Sequence, residues 1–186
     1  MEEILKNLGP LAPLVGVWEG NKGDDVAPDD DRQGSENNKF REQIRFEAFG
    51  PVDNHEQKLF GLRFSKMAWR LGEADSFHEE TGYWLWDGAR EEVYCCFIVP
   101  RGVTVLAGGA VKADDRKFRL EANLGSATYG IASNPFLDRE FKTVKYEITV
   151  EIHDGRRISY DETTYLQMPG RPQPFAHTDR NTLQRV

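Results

Sequence analysis

From Phe40 onward the chain alternates. In FREQIRFEAFG, Phe40, Ile44, Phe46 and Ala48 fall on one face and Arg41, Gln43, Arg45 and Glu47 on the other. That period of two predicts a half-buried strand. EQKLFGLRFSKMAWR predicts a second, longer strand. SFHEETGYWLWDG follows and closes on an Asp-Gly turn signal, and EEVYCCFIVP stops at Pro100-Arg101-Gly102. GVTVLAGGAVKADD and KFRLEANL predict a hairpin around Asp114 and Asp115. FKTVKYEITVEI and RRISYDETTYLQM flank the turn HDGR, and the tail from His177 supplies a last strand.

The remaining stretches read differently. EEILKNLG predicts one or two helical turns ending at Gly9-Pro10, and LVGVWEGNKG a first strand. DDVAPDDDRQGSENNK is acidic and poor in apolar residues, so residues 24–38 are expected to be a peripheral acidic loop insertion. GSATYGIASNPFLDRE lacks a clean period and reads as a long loop with room for a short helix. The sum is roughly ten strands in sequence order, with no long amphipathic helix and no internal repeat. Consecutive hairpins form a meander, and a meander removes its exposed edges by closing on itself. The expected fold is therefore all-β: an antiparallel up-and-down barrel, with a short N-terminal helical turn, as one domain over 1–186. Barrels of about eight to ten strands can hold one small ligand. A two-sheet sandwich fits the same strand pattern.

Composition narrows the function. Lys plus Arg number 24 and Asp plus Glu 31, for a net charge of −7. Phosphate binding needs clustered cations, so nucleic acid is not the expected partner. Cys95 and Cys96 are adjacent; in a strand they point to opposite faces and cannot readily bond each other, and free thiols suit a reducing compartment. No stretch approaches the ~20 apolar residues of a membrane-spanning helix, and the start lacks a signal-peptide pattern. A cytoplasmic protein, monomer or homodimer, is expected.

Two places resemble a known family. GVWEG (Gly16, Trp18, Gly20) resembles the start of lipocalin-like and fatty-acid-binding-protein-like barrels. The resemblance implies that Trp18 plugs the closed end and that an arginine of the last strand, Arg185, lies across it. A plain core tryptophan is the alternative. The later segments, His78, Glu80, Gly82 and Tyr83 and then His177, are similar in order and placement to nitrobindin-like haem-binding β-barrels. That resemblance implies haem b as cofactor, with His177 as axial ligand of ferric iron and His78 on the opposite side of the pocket. It also implies nitric oxide binding and, in a haem-dependent enzyme, peroxynitrite isomerisation. The chain departs from the family as a divergent branch. Asp24-Asp25-Val26-Ala27-Pro28 stands where the family has a Tyr-Pro-Thr-Ile-like segment, Thr164 takes the place of a haem-facing methionine, and Thr178, Asp179 and Asn181 follow the late histidine.

The residues themselves leave two readings of that tail. His177 either ligates a metal, with Asp179 on the same strand face orienting its ring, or joins Asp179 and Asn181 in a hydrogen-bonded clasp that holds the last strand. His78 and Glu80 share a face with Trp84 and Trp86, but a two-ligand run lacks a third donor for zinc or iron. Tyr160, Glu162 and Thr164 form a polar row that either lines a cavity or faces solvent. No Gly-x-Ser-x-Gly elbow or Gly-rich phosphate loop supports side-chain catalysis. The expected function is binding of a hydrophobic small molecule in the barrel, haem first; an apolar-molecule carrier such as a fatty-acid carrier, without haem, is the alternative.

Overall fold

The computed structural model describes residues 2–186. A helix α1 (Glu2–Lys6) and a 3-10 turn (Gly9–Leu14) lead into β1 (Gly16–Pro28). The strands β2 (Ser35–Asp53), β3 (Lys58–Arg70), β4 (His78–Asp87), β5 (Glu92–Val99), β6 (Val103–Ala110) and β7 (Lys117–Asn123) follow as a meander. A three-residue strand β8 (Ile131–Ser133) and a helix α2 (Pro135–Glu140) precede β9 (Lys142–Asp154), β10 (Arg157–Gln167) and β11 (Phe175–Arg185).

Every pairing is antiparallel, and the sheet closes. β1 pairs with both β2 and β11, and the ring continues through β10, β9, β7, β6, β5, β4 and β3. Ten strands thus form a closed barrel, and β8 adds a short pairing on β6. The β8–α2 segment differs from the expected long loop because Asn134 caps a helix. Its side chain accepts from the backbone N–H of Phe136 and Leu137, and Pro135 fits the first helical position.

One end of the barrel is filled. Leu8, Leu11 and Leu14, from the N-terminal helical pieces, are fully buried beside Trp18 and Leu183. Trp18 and Arg185 are register partners on β1 and β11. The Trp18 indole Nε1 donates to the Leu14 carbonyl at 2.6 Å. The Arg185 guanidinium lies 4.8 Å from the centre of the Trp18 ring and donates to the Pro13 carbonyl at 2.6 Å. First strand, last strand and N-terminal plug therefore meet at one point. Above them Phe46, Phe64, Phe97 and Trp84 interlock edge to face.

Residues 24–38, expected as a loop, are mostly strand. β1 runs through Pro28 and β2 starts at Ser35, so the connection is 29–34. The two strands pair along this whole stretch, from Asp24 opposite Lys39 to Pro28 opposite Ser35. Backbone hydrogen bonds extend this mostly polar ladder, and within it Asp25 is buried.

Candidate functional site

Strand alternation puts polar groups inside the barrel halfway up. On β2 the inward face runs Phe40, Glu42, Ile44 and Phe46, and on β3 it runs Phe64, Lys66 and Ala68; all are buried. On β10 Tyr160 and Glu162 face in, and on β11 His177, Asp179 and Asn181 share the face of buried Leu183. β1 contributes Asp25 because its ladder with β2 slips between Gly20 and Gly23. That irregularity moves the buried positions from even numbers (Trp18) to odd numbers (Gly23, Asp25).

Above this polar layer lies a cavity of about 570 Å³. Phe40, Phe97, Val105, Leu137 and Phe141 are among its apolar walls. Its floor is ionic. Lys66 reaches across the barrel, with its ammonium 3.5 Å from Glu80 Oε1, 3.5 Å from Asp179 Oδ1 and 3.7 Å from Glu162 Oε2. It also lies 4.8 Å from the centre of the Tyr160 ring. Beneath it Glu42 accepts from the Tyr160 hydroxyl at 2.9 Å and from Asn181 Nδ2 at 2.8 Å.

Shared burial drives these carboxyls apart in charge. Burial pushes Glu80 up, but the Lys66 charge and the His78 hydrogen bond outweigh it and hold Glu80 well below the usual range. Burial dominates at Glu162, and the neighbouring Asp179 adds to it, so its carboxyl is held far above the usual range. Glu42 is pushed up to about 7, by burial first, with the Lys66 charge opposing.

His177, His78, Thr164 and Asp179 all line this one cavity, whereas Trp18 and Arg185 lie at the filled end. Their partners differ from those expected. His177 Nε2 is 2.7 Å from Asp25 Oδ1, and Asp179 turns to Lys66 instead. Asp179 is therefore not the group that orients His177: alternation puts both on one face, but the closest carboxylate comes from the neighbouring strand. Burial works against a charge on His177, and the Asp25 hydrogen bond and charge overcome it, so its pKa stands above the ordinary value. His78 Nε2 is likewise 2.7 Å from Glu80 Oε1. The expected clasp with Asn181 does not form around His177, since Asn181 bonds Glu42.

Lys66, Glu42 and Asp25 join the site without having been expected there. The first two carried a signal: each charge sits in phase with the apolar face of its strand, between Phe64 and Ala68 or between Phe40 and Ile44. Asp25 carried none, because the slip in β1 resets the phase.

The fold and its residues can be set beside known proteins. Residues 7–185 match the sequence model of the THAP4-like, haem-binding β-barrel domain. The chain belongs to that family. Family membership covers nearly the whole barrel, from the N-terminal plug to Arg185. A crystal structure of Rv2717c from M. tuberculosis superposes with a TM-score of 0.67 at 21% identity, covering 97% of each chain. At that identity it shows a shared fold. The S-type phycobiliprotein lyase CPES of Guillardia theta gives a TM-score of 0.48 at 9% identity, covering 100% of this chain and 92% of that one. A comparison with curated proteins gave no match.

Proposed function

We propose that this member of the haem-binding β-barrel family binds a small organic molecule inside the barrel, its apolar part against the walls and a polar group at the Lys66 floor. The observation that carries the reading is the cavity itself: about 570 Å³, with aromatic and aliphatic walls over a charged floor. Ligand sites are typically about 300–1,000 Å³, mostly apolar, with a few polar groups that fix orientation.

The family description makes haem the first ligand to test against these residues. The walls accept a flat apolar ring. The donor set offers its iron no free Nε2. An axial imidazole must be neutral with a ring nitrogen free to face the metal. The Nε2 atoms of both His177 and His78 lie 2.7 Å from a buried carboxylate, and Asp25 favours the charged form of His177. Haem ligation through His177 Nε2 does not fit this arrangement, and no nitric oxide or peroxynitrite chemistry is assigned to the chain. A fatty acid with its carboxylate at the floor fits no better there, because it would join Glu80, Glu162 and Asp179, which already share one lysine.

Two titrations test the reading. Nile red, a neutral apolar dye, is expected to brighten with the native chain and not with Ala68→Trp, which fills the cavity; equal brightening would refute the cavity as the binding site. Haemin is expected to give no histidine-ligated spectrum with the native chain, and to give one with Asp25→Ala, which uncovers His177 Nε2. A histidine-ligated spectrum in the native chain that is lost in His177→Ala would restore the haem reading.

A further inference from the structure

On the far side of the Lys66 layer from the large cavity lies a second, smaller void of about 30 Å³. Ile44, Phe64 and Ile148 give it apolar walls. Lys66, Glu80 and Glu162, which also border the large cavity, bring charged and polar groups to it, and Trp84 closes another side.

Trp84 is the first sign of an occupant. It is only 5% exposed, and its indole Nε1 has no hydrogen-bond partner among the described residues. An indole nitrogen donates and never accepts, so this site calls for an acceptor. A buried donor without one is costly.

Lys66 is the second sign, and it is independent of the first. Its ammonium stands 3.5 Å from Glu80 Oε1 and 3.7 Å from Glu162 Oε2, whereas direct ammonium–carboxylate bonds run about 2.7–2.9 Å. Polar groups held apart by such distances are commonly joined through a bridging water. All three of these residues border the void.

The void suits a water in size and in lining. One water needs about 10–15 Å³ of room and two to four polar partners. It accepts twice and donates twice, and this site offers two donors, Trp84 Nε1–H and the Lys66 ammonium, and two acceptors, the carboxyls of Glu80 and Glu162. A cation there would face the Trp84 N–H. An anion would face Glu80, which Lys66 and His78 keep ionised. We propose that an internal water molecule occupies this void, accepting from Trp84 Nε1–H and linking Lys66 to Glu80 and Glu162. The water holds the lysine between its acids instead of letting it collapse onto one of them. The site is separate from the large cavity: a molecule entering from above meets the Lys66 floor with the water already beneath it.

Two measurements on the full chain test this. The first is the nuclear Overhauser transfer from water to the Trp84 indole N–H, whose signal is identified as the one lost in Trp84→Phe. A contact with the sign of a long-lived water is expected. The second is ¹⁷O relaxation dispersion of the water in solutions of the native chain and of Cys95→Val. Cys95 is 1% exposed and lines the void, so the larger valine fills it. The variant is expected to lose the indole contact and the dispersion of about one water. Because ¹⁷O follows oxygen and not protons, exchange of the Tyr146 hydroxyl cannot imitate that loss. No water contact at the native indole overturns the proposal, and so does equal dispersion in the native chain and a folded Cys95→Val. If the valine variant does not fold, the native contact alone decides: its presence supports the water and its absence overturns it. Nile red bound in the large cavity is expected to leave the contact unchanged. Loss of the contact on dye binding would show that the void is part of the ligand site and would overturn a resident water.

Discussion

Glu42 offers a direct test of the ionic floor. Its side chain is 2% exposed and holds two neutral donors, the Tyr160 hydroxyl at 2.9 and 3.0 Å and Asn181 Nδ2 at 2.8 Å. Burial raises its pKa, the Lys66 charge lowers it and the Asp179 charge raises it, and the balance carries it from 4.5 to about 7. A folded pKa above the unfolded one means that the native state holds the extra proton between those values. Stability therefore falls as pH climbs from about 4.5 to about 7 and is flat, for this group, above that. A rise of that size corresponds to about 3 kcal/mol of native-state penalty once the carboxylate is ionised. Glu42→Gln keeps the shape and the hydrogen-bonding oxygen but removes the charge. It should be more stable than the native chain by about 2–3 kcal/mol near pH 8 and should match it within about 1 kcal/mol near pH 5. Urea unfolding followed by tryptophan fluorescence at both pH values measures the difference. If Glu42→Gln is the less stable protein near pH 8 by more than about 1 kcal/mol, the ionised carboxylate is a net partner of Lys66, and the assignment of burial as the dominant effect is wrong.

Trp18→Ala should cost about 3–5 kcal/mol, since it empties a fully buried indole site and removes the donor to Leu14, whereas Arg185→Ala should cost only about 1 kcal/mol because the guanidinium is partly solvated. Equal losses in thermal melts of the two variants would mean that Arg185, not the plug, closes the barrel end. Gly82→Ala should lose about 2–3 kcal/mol, because a Cβ there runs into the Cys96 carbonyl oxygen and the Phe97 Cα of the neighbouring strand, which cannot move aside as a side chain would; an alanine variant within about 0.5 kcal/mol of the native chain would show that β4 and β5 part easily.

The number, order and direction of the long strands were legible in the sequence, because a half-buried strand writes its face into every second residue. The same rule put His78 in phase with Glu80, and His177 in phase with Asp179. It also marked Tyr160, Glu162 and Thr164 as a row that points one way, without saying which way. The tertiary structure decided that this row faces inward. Several features had no local trace. The slip between Gly20 and Gly23 resets the inward phase of β1, so Asp25 comes inside from a stretch whose acidity reads as loop. The partner of His177 is 152 residues away, and Lys66 meets Asp179 across 113 residues. Alternation states which side chains share a face but not which strand lies beside them or across from them. Ring closure sets those neighbours, and in a buried floor they determine the charge that each carboxyl carries.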